Sequence, residues 1–173
     1  MALRKIVTHG DPVLRKKCKP VETIDKEVLR LIEDMFETMY DAPGIGLAAN
    51  QIGVDLSVAV IDIQPNGKRQ PIVLINPKVV ELKGELFEDE GCLSIPGLHE
   101  EIKRAAFTKV EALNEKGFPM IYTGEGLMSR ALQHETDHLN GKFYIDHLPM
   151  IKKMKMSAAI RKAKKSGWRT QPA

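Results

Sequence analysis

The amino-acid sequence predicts an α+β fold, in which antiparallel or mixed β-sheets pack around a central helix and a basic helix follows at the C-terminal end. Three observations indicate this class. An amphipathic helical pattern precedes several segments rich in β-branched residues, a second helical pattern follows them, and lysine-rich sequence closes the chain. Strands grouped between helices are typical of α+β domains, whereas parallel sheets usually alternate strand and helix.

The length and composition of the chain fit one folded domain. Its 173 residues can bury most of the apolar surface of the unfolded chain, and 43% hydrophobic and 28% charged residues are typical of a water-soluble protein. The N-terminal stretch MALRKIVTHGDPVLRKKC contains scattered charges, so neither a secretory signal nor a membrane anchor is expected. Because the chain also has only two cysteines, we expect a cytosolic protein with free thiols.

The first helix is predicted from Ile24 to the segment DAPG at residues 41–44. Apolar residues recur at the spacing of one helical face, at Ile24, Val28, Leu31, Ile32, Met35, Phe36 and Met39. Pro43 disfavours helical geometry at the residue before it and Gly44 interrupts the pattern, so the helix should end there. The glycine-rich segment GIGLAANQIG follows.

Three segments in the middle of the chain are predicted to be strands. They are SVAVIDI (57–63), PIVLINPKVVEL (71–82) and TKVEAL (108–113). All are rich in β-branched residues and are bounded by Pro, Asn or Gly. Residues 114–117 are expected to form a turn that joins two strands.

A second helix is predicted over EGLMSRALQHETDHLNG, residues 125–141, because Asn140-Gly141 favours a C-terminal stop. One stripe of this helix, expected to point toward the core, contains Leu127, Ala131, His134 and His138. The neighbouring stripe, Met128, Leu132, Glu135 and Leu139, places a carboxylate on the buried side as well. The polar face is left to Arg130, Gln133, Thr136, Asp137 and Asn140.

The buried position predicted for His134, Glu135 and His138 favours a metal site over an ordinary polar helix. A carboxylate removed from water without a partner is strongly destabilising. A divalent ion would bind both imidazoles and favour the charged form of Glu135. The three residues form an HExxH pattern, in which the glutamate is an unliganded general base. Two histidines at this spacing also arise in helices that bind no metal.

A third ligand is needed to complete such a site. The candidates are His9, His99, His147, Cys18, Cys92 and the carboxylates. Cys92 is favoured because it lies in EDEGCLSIPG, an acidic turn between strand-like segments, although a lone cysteine is more often a small buried hydrophobe. One thiolate and two imidazoles leave a fourth position open for water, as in catalytic sites.

Three motifs resemble those of the peptide deformylase family, in the order and at the separations found there. They are GIGLAANQ (44–51), EGCLS (90–94) and QHETDHLNG (133–141). The segment GDPVLRKKC near the N-terminus is also similar to the family, so the resemblance covers essentially the whole chain. It implies an α+β fold with a metal-binding central helix, and a single catalytic domain over residues 1–149. The implied activity is removal of the formyl group from the initiator methionine of nascent polypeptides.

The resemblance also implies roles for individual residues. It assigns metal ligation to Cys92, His134 and His138, and the acid/base role to Glu135. One divalent ion is expected, Fe²⁺ natively, with Zn²⁺ or Ni²⁺ able to occupy the same site. Glu135 would take a proton from the metal-bound water and return it to the leaving amine.

Two donors and a substrate pocket complete the implied active site. The side-chain amide of Gln51 and the backbone N–H of Leu93 are expected to stabilise the oxyanion formed by attack on the formyl carbon. The methionine of the substrate is expected beside four residues that could equally belong to the core or to a turn: Ile45, Gly46, Leu127 and Ala131.

Ligand orientation suggests one further pair. We hypothesise that Asp137 pairs with Arg104, because metal ligands need outer partners and the family has an arginine at the corresponding place. A solvated surface charge is the alternative for Asp137. Many family members have an arginine at the position of His99, where it contacts the peptide backbone, and this chain departs from the family at that point.

The basic tail or helix, residues 150–173, contains eight basic residues and no acidic ones. The whole chain has a net charge of +3, so residues 1–149 carry −5. Most such segments are solvated chain ends. The alternative is salt-sensitive contact with RNA phosphates, and in the family the C-terminal helix helps to place the enzyme on the ribosome.

The expected partners are therefore N-formylmethionyl nascent peptides and, through the basic segment, the ribosome, with no membrane. The expected location is a bacterial-type cytoplasm, with an organelle as the alternative. Two other functions fit the motifs less well. One is a different HExxH metallohydrolase, such as a peptidase, and the other is a non-catalytic ribosome- or RNA-binding module.

Overall fold

The structure, a computed structural model, describes residues 2–168 and contains three α-helices and seven β-strands within that range. The helices are α1 (Lys26–Asp41), α2 (Gly126–Leu139) and α3 (Met150–Lys165). The strands are β1 (Gly46–Ala48), β2 (Val58–Ile61), β3 (Ile72–Lys83), β4 (Leu86–Cys92), β5 (Ile95–Arg104), β6 (Phe107–Leu113) and β7 (Pro119–Glu125). The predicted α+β class is confirmed.

The strands form two antiparallel sheets. Five of them make a sheet with the order β1-β2-β3-β6-β7, and β4 and β5 form a separate hairpin. Successive residues of β2 face opposite sides of the larger sheet: Val58 and Val60 pack with α1, whereas Ala59 and Ile61 pack with α2. The larger sheet therefore lies between the two helices, which explains why β2 and the first residues of β3 are apolar on both faces.

Helix α1 follows the predicted amphipathic pattern. The Asp25 side chain accepts a hydrogen bond from the backbone N–H of Val28 at 2.9 Å and caps the helix, so the first turn begins at Lys26 rather than at Ile24. The helix ends at Asp41, immediately before the Ala-Pro-Gly segment that was predicted to stop it. Its buried side is the predicted apolar face together with Asp34 and Thr38.

Three predicted strands are present as β2, β3 and β6, and the predicted turn at residues 114–117 joins β6 to β7. In that turn the N–H of Gly117 donates to the carbonyl of Asn114 at 2.9 Å. The sequence analysis did not predict the strands β1, β4, β5 and β7. Strand β1 has only three residues, and the β4–β5 hairpin is largely charged and solvent-facing, so neither shows a clear apolar alternation.

Helix α2 differs from its predicted faces in two respects. Leu127 was expected in the core but is 44% exposed. Gln133 and Thr136, expected on a polar outer face, are buried. The burial of Gln133 has a clear reason, since its side-chain amide accepts from the N–H of Ala105 at 3.1 Å and donates to the carbonyl of Ala105 at 3.0 Å. The segment between β5 and β6 thus covers a face that periodicity alone assigns to solvent.

The C-terminal region contains the predicted basic helix, α3, up to Lys165. Its Met156 and Ile160 side chains are buried in a cluster with Ile95 and Ile102 of β5, so the helix is attached to the domain through apolar contacts. The rest of the predicted basic segment, residues 169–173, lies outside the described residues. No helix in the described part of the chain combines the length and apolar character needed to cross a membrane.

Candidate metal centre and active site

A cleft of about 900 Å³ opens beside helix α2. Its wall combines apolar residues with titratable ones, which is typical of ligand-binding sites in enzymes. The residues that the sequence analysis discussed as ligands, catalytic groups or substrate contacts and that line the cleft are Ile45, Gly46, Gln51, Cys92, Leu93, His99, Leu127, Ala131, His134 and Glu135. His138 does not line the cleft and lies behind this wall, fully buried.

Three potential metal ligands converge at one end of the cleft. Cys92 is the last residue of β4, and His134 and His138 lie one turn apart on α2. The Nε2 atom of His138 is 3.2 Å from Cys92 Sγ and 3.0 Å from His134 Nε2. These atoms all lie within 4.8 Å of one another, and they are the only such group within residues 2–168.

The other residues considered as a third ligand lie apart from this group. His9 packs against the ring of Phe143, with ring centroids 4.9 Å apart. Cys18 is buried in the apolar cluster between α2 and the larger sheet. The ring of His147 contacts Asp137, and His99 faces Asp89 at 3.6 Å. Among these candidates, only Cys92 joins the two histidines.

The two imidazoles are held in different ways. His134 Nδ1 donates to the carboxylate of Glu90 at 2.6 Å, which directs Nε2 toward Cys92 and His138. The ring of His138 instead packs edge-on against Phe143 at a centroid distance of 5.7 Å. Its Nδ1 atom has no hydrogen-bond partner among the described residues.

The surroundings shift the pKa values of the two rings in opposite directions. Burial, together with the neighbouring His134, holds the pKa of His138 well below its usual value, so His138 is a neutral imidazole. Burial acts in the same direction on His134, but hydrogen bonds with Cys92 and Glu90 outweigh it and raise the pKa of His134 well above its usual value.

Glu135 lies between the histidines along α2 and is only 4% exposed. Its Oε2 atom has no hydrogen-bond partner among the described residues. Burial raises the pKa of Glu135 to about 7. The backbone of β1 approaches this carboxylate at Gly46, where a β-carbon would collide with the Glu135 side chain. A buried carboxylate with a free oxygen and a pKa near neutrality has the properties of a general base.

Gln51 is fixed with its amide nitrogen toward Cys92. Its Oε1 atom accepts from the backbone N–H of Ala48 at 2.9 Å, which leaves Nε2 to donate to Ser94 Oγ at 3.2 Å. The same Nε2 lies 3.5 Å from Cys92 Sγ. Leu93 follows Cys92 in the β4–β5 turn and also lines the cleft. The geometry thus brings both predicted donor residues to the group of potential ligands.

The four predicted substrate-pocket residues all line the cleft. Ile45 and Leu127 are 39% and 44% exposed, so neither belongs to the buried core. Ala131 is buried beside them, and Gly46 lies against Glu135. Exposed apolar side chains beside a carboxylate suit a ligand that combines an apolar side chain with a polar group.

A network of buried charges lies behind His134. The predicted pair is present, since Arg104 Nη1 donates to Asp137 Oδ2 at 2.6 Å. Arg104 also donates to both oxygens of Glu90, at 2.6 and 3.1 Å. Although burial alone would raise it, hydrogen bonds from His134 and Arg104 lower the pKa of Glu90 to about 2.

The sequence analysis missed two members of this network, Glu90 and His147. Glu90 stands two residues before Cys92 in the EGCLS motif, and its place beside a potential ligand could have suggested an outer carboxylate. His147, whose Nε2 donates to Asp137 Oδ2 at 2.7 Å, was considered only as a ligand. Its role in the network depends on how the chain that follows α2 folds back against Asp137 on that helix.

The residues present fit a divalent metal ion. Sulfur and two imidazole nitrogens suit Fe²⁺, Zn²⁺ or Ni²⁺ better than they suit Mg²⁺ or Ca²⁺, which prefer oxygen. The ring of His134 is already oriented by an outer carboxylate, as is common for metal-bound histidine. The partnerless Glu135 oxygen beside the three atoms fits an unliganded base in a site of this kind.

Comparison with known proteins agrees with these features. The model of the polypeptide deformylase family matches residues 3–154. A peptide deformylase of Alkalilimnicola ehrlichii is 44% identical over 167 residues, which cover 96% of this chain and 94% of the relative. A peptide deformylase of Cellvibrio japonicus is 45% identical over 98% of this chain and 100% of the relative.

Solved structures show the same relationship. The crystal structure of a peptide deformylase from Legionella pneumophila has 48% sequence identity and a TM-score of 0.90, covering 99% of this chain and 100% of that one. A peptide deformylase from Ehrlichia chaffeensis in complex with actinonin has 37% identity and a TM-score of 0.90, covering 96% and 99%. This chain belongs to the polypeptide deformylase family.

Proposed function

We propose that this chain is a metal-dependent hydrolase that removes the formyl group from N-formylmethionyl peptides and releases formate. One observation carries the proposal: Cys92 Sγ and the two histidine Nε2 atoms converge at the end of a cleft, with the buried Glu135 carboxylate beside them. Relatives that match almost the whole length of this chain are named peptide deformylase. Removal of a formyl group from formylmethionine would need a metal site, a general base and an apolar cleft, and these three features occur together here.

Cys92, His134 and His138 would hold one divalent ion, which we propose to be Fe²⁺, with Zn²⁺ or Ni²⁺ as substitutes. When bound, such an ion would polarise a carbonyl oxygen and lower the pKa of bound water to about 7. The protein's contribution begins with Glu90, which holds His134 by a 2.6 Å hydrogen bond so that Nε2 faces the other two ligands. Packing against Phe143 does the same for His138.

Glu135 is the proposed general base and, later, general acid. Because its pKa is about 7, it can accept a proton from the attacking water and still release that proton to the leaving amine near neutral pH. Its free Oε2 atom is available for this exchange. The close packing of Gly46 against the carboxylate limits its movement, which keeps the proton acceptor at one position.

Gln51 and Leu93 are the proposed donors to the oxyanion that forms on the formyl group. The Gln51 amide is preorganised, because the N–H of Ala48 holds its oxygen and leaves the nitrogen directed at Cys92. The backbone N–H of Leu93 follows Cys92 directly in the chain. Preorganised donors stabilise developing negative charge without reorganisation in the transition state.

The cleft would accept the formylmethionine residue. Ile45, Leu127 and Ala131 provide an apolar wall for the methionine side chain, and Gly46 lets the substrate backbone lie close to β1. The half-exposed state of Ile45 and Leu127 is consistent with surface that the substrate covers.

A formate-release assay tests the proposal. The full-length chain, purified anaerobically and loaded with Fe²⁺, is expected to release formate from formyl-Met-Ala-Ser. Chelation should abolish the activity, and added Fe²⁺ or Ni²⁺ should restore it. Cleavage of internal peptide bonds without formate release would instead support a metallopeptidase and would sink the proposal.

Metal analysis of the two cysteine variants provides a matched control. Cys92→Ala should lose the bound ion, whereas Cys18→Ala, which removes the other free cysteine, should keep it. Equal metal content in the two variants would reject Cys92 as a ligand.

Two further proposals concern partners and location. We infer that the enzyme works in a bacterial-type cytoplasm, on nascent chains at the ribosome, which α3 would contact through its exposed basic side chains. The test is ribosome pelleting at low salt with Lys155, Arg161, Lys162 and Lys165 changed to Gln. These residues are exposed, and replacing them leaves the buried Met156 and Ile160 in place. Unchanged co-sedimentation would reject the role of α3.

A further inference from the structure

The charge network behind the proposed metal site continues to a histidine near the surface. The side chain of Arg104 is 2% exposed and lies between two carboxylates, those of Glu90 and Asp137. Beyond Asp137 stands His147, whose side chain is 36% exposed. A chain of hydrogen bonds thus runs from His147 through Asp137, Arg104 and Glu90 to His134.

The proton on the His147 ring can be assigned from the contacts. Its Nε2 lies 2.7 Å from Asp137 Oδ2 and 3.2 Å from Arg104 Nη1. Arginine can only donate and an ionised carboxylate can only accept. If Nε2 carried no hydrogen, its lone pair would face the lone pairs of the carboxylate oxygen at 2.7 Å, and the two groups would repel each other. Nε2 therefore carries hydrogen and donates to the same oxygen that accepts from Arg104.

His147 is held firmly enough to orient a neighbour. It is the last residue of the 3₁₀ turn Tyr144–His147, which follows α2. Tyr144 and Ile145 of this turn are buried. The preceding backbone N–H of Phe143 donates to Asp146 at 2.8 Å and closes the turn. The donor on His147 thus has a defined position relative to α2.

We propose that His147 is a positioning residue of the metal site. It fixes Asp137, which fixes the Arg104 guanidinium against Glu90, and Glu90 orients the proposed ligand His134. The role rests on the proposed metal-dependent function. His147 touches neither the potential ligands nor the cleft, so it acts only through Asp137 and Arg104.

The charge balance explains why a second donor at Asp137 matters. Arg104 is the guanidinium shared by both carboxylates, while Arg130 Nε lies 3.9 Å from Glu90 alone, so Asp137 has only Arg104 and His147 as side-chain partners among the described residues. Without His147, Arg104 would be the only side-chain donor left to Asp137 among the described residues. Asp137 would then draw the guanidinium of Arg104 away from Glu90. Glu90 would then hold His134 less tightly. Loss of a residue that hydrogen-bonds a metal ligand typically changes the metal affinity by about 10–100-fold. Because His147 lies further from the ligand His134, its loss should have an effect near the lower end of that range.

The test is the rate at which the Zn²⁺-loaded, full-length protein releases its ion to a chromophoric chelator. His147→Phe keeps a ring of similar size but removes the donor, and it should release Zn²⁺ about tenfold faster than the wild type. His147→Gln places an amide N–H near the position of Nε2 and should restore slow release. His147→Asn is too short for this contact and should resemble His147→Phe.

A control outside the network separates positioning from simple destabilisation. Met35→Ala removes a fully buried side chain of α1, and Met35 belongs to the apolar cluster of that helix rather than to the charge network. This variant should lower the thermal unfolding midpoint while releasing Zn²⁺ near the wild-type rate. Equal release by Met35→Ala and His147→Phe would reduce the role of His147 to general stability and overturn the inference.

A double-mutant cycle tests the route of action. If His147 acts through Asp137, then His147→Phe should add little to the release rate of Asp137→Asn. Fully additive effects, or wild-type release by His147→Phe, would overturn the inference. A wild-type protein that neither binds Zn²⁺ nor releases formate would instead reject the proposed function, so the two failures are distinguishable.

Discussion

Helices α1 and α2 are similar in length, with 16 and 14 residues, and both pack against the larger sheet, but they bury different chemistry. The buried face of α1 is mainly aliphatic, formed by Val28, Leu31, Ile32, Met35 and Met39. The buried set of α2 includes the polar residues Ser129, Gln133, Glu135, Thr136 and His138. Helix α1 stabilises the fold, whereas α2 both stabilises the fold and carries proposed metal ligands and the proposed general base.

The difference shows what each kind of burial requires. Apolar burial is non-directional, so α1 needs only an apolar surface of suitable shape. Each buried polar group of α2 needs a partner at a defined position. Those partners come from distant segments: Ala105 bonds Gln133, Thr108 bonds Ser129 at 2.7 Å, and Glu90 bonds His134. Three buried polar atoms of α2 have no partner among the described residues: Oε2 of Glu135, Oγ1 of Thr136 and Nδ1 of His138. Of these, the Glu135 oxygen lies where the proposed reaction needs a base.

The largest effect is expected from Glu135→Gln on α2. The change keeps the size of the side chain but removes the proton acceptor, so formate release by the metal-loaded enzyme should fall by about 10²–10⁴-fold. The metal content and the thermal unfolding midpoint should not fall. A variant that keeps most of the wild-type rate would show that α2 supplies ligands but not the base.

On α1 the corresponding change is Met35→Ala. Met35 is fully buried, and its truncation should lower the free energy of unfolding by about 2–5 kcal/mol in urea denaturation. The rate of formate release per folded, metal-loaded molecule should stay near the wild-type value, because α1 supplies no catalytic group. A large fall in that rate would break the contrast between the two helices.

Gln133→Met tests whether the buried polar face of α2 is structural. The change leaves the N–H and the carbonyl of Ala105 without their Gln133 partner, and should cost about 1–3 kcal/mol of unfolding free energy. The release rate of Zn²⁺ should be unaffected, since the amide points away from the ligands. Faster release would place Gln133 with the residues that hold the metal site.

The smallest effect concerns Asp34, a buried carboxylate on α1. Burial alone would raise its pKa, but hydrogen bonds from Arg4 and from the N–H of Ala2 outweigh that and lower the pKa of Asp34. Stabilisation from this group is therefore present above its unfolded pKa of about 3.9 and is lost as pH falls through the folded value.

Asp34→Asn should thus lower the free energy of unfolding at pH 7 by about 1 kcal/mol or less, because Arg4 is half-exposed. The difference from the wild type should shrink toward pH 3. A difference that is constant with pH would mean that packing, rather than charge, accounts for the effect.

The amino-acid sequence alone determined the α+β class, the apolar face of α1, the strands β2, β3 and β6, and the basic character of α3. Periodicity is sufficient for these elements, because apolar side chains are buried wherever their spacing puts them on one face. Sequence motifs also selected Cys92, His134 and His138 as a group, since metal ligands occur at restricted spacings. The three atoms do lie together.

The tertiary structure alone decided which polar groups are buried and what holds them. Three kinds of feature do not follow from any local pattern: the burial of Gln133 and Thr136, the exposure of Leu127, and the hydrogen bonds of Glu90 with His134 and Arg104 and of His147 with Asp137. The physical reason is that a directional contact depends on how strands far apart in the chain are paired and packed, whereas apolar burial depends only on which side of an element faces the core.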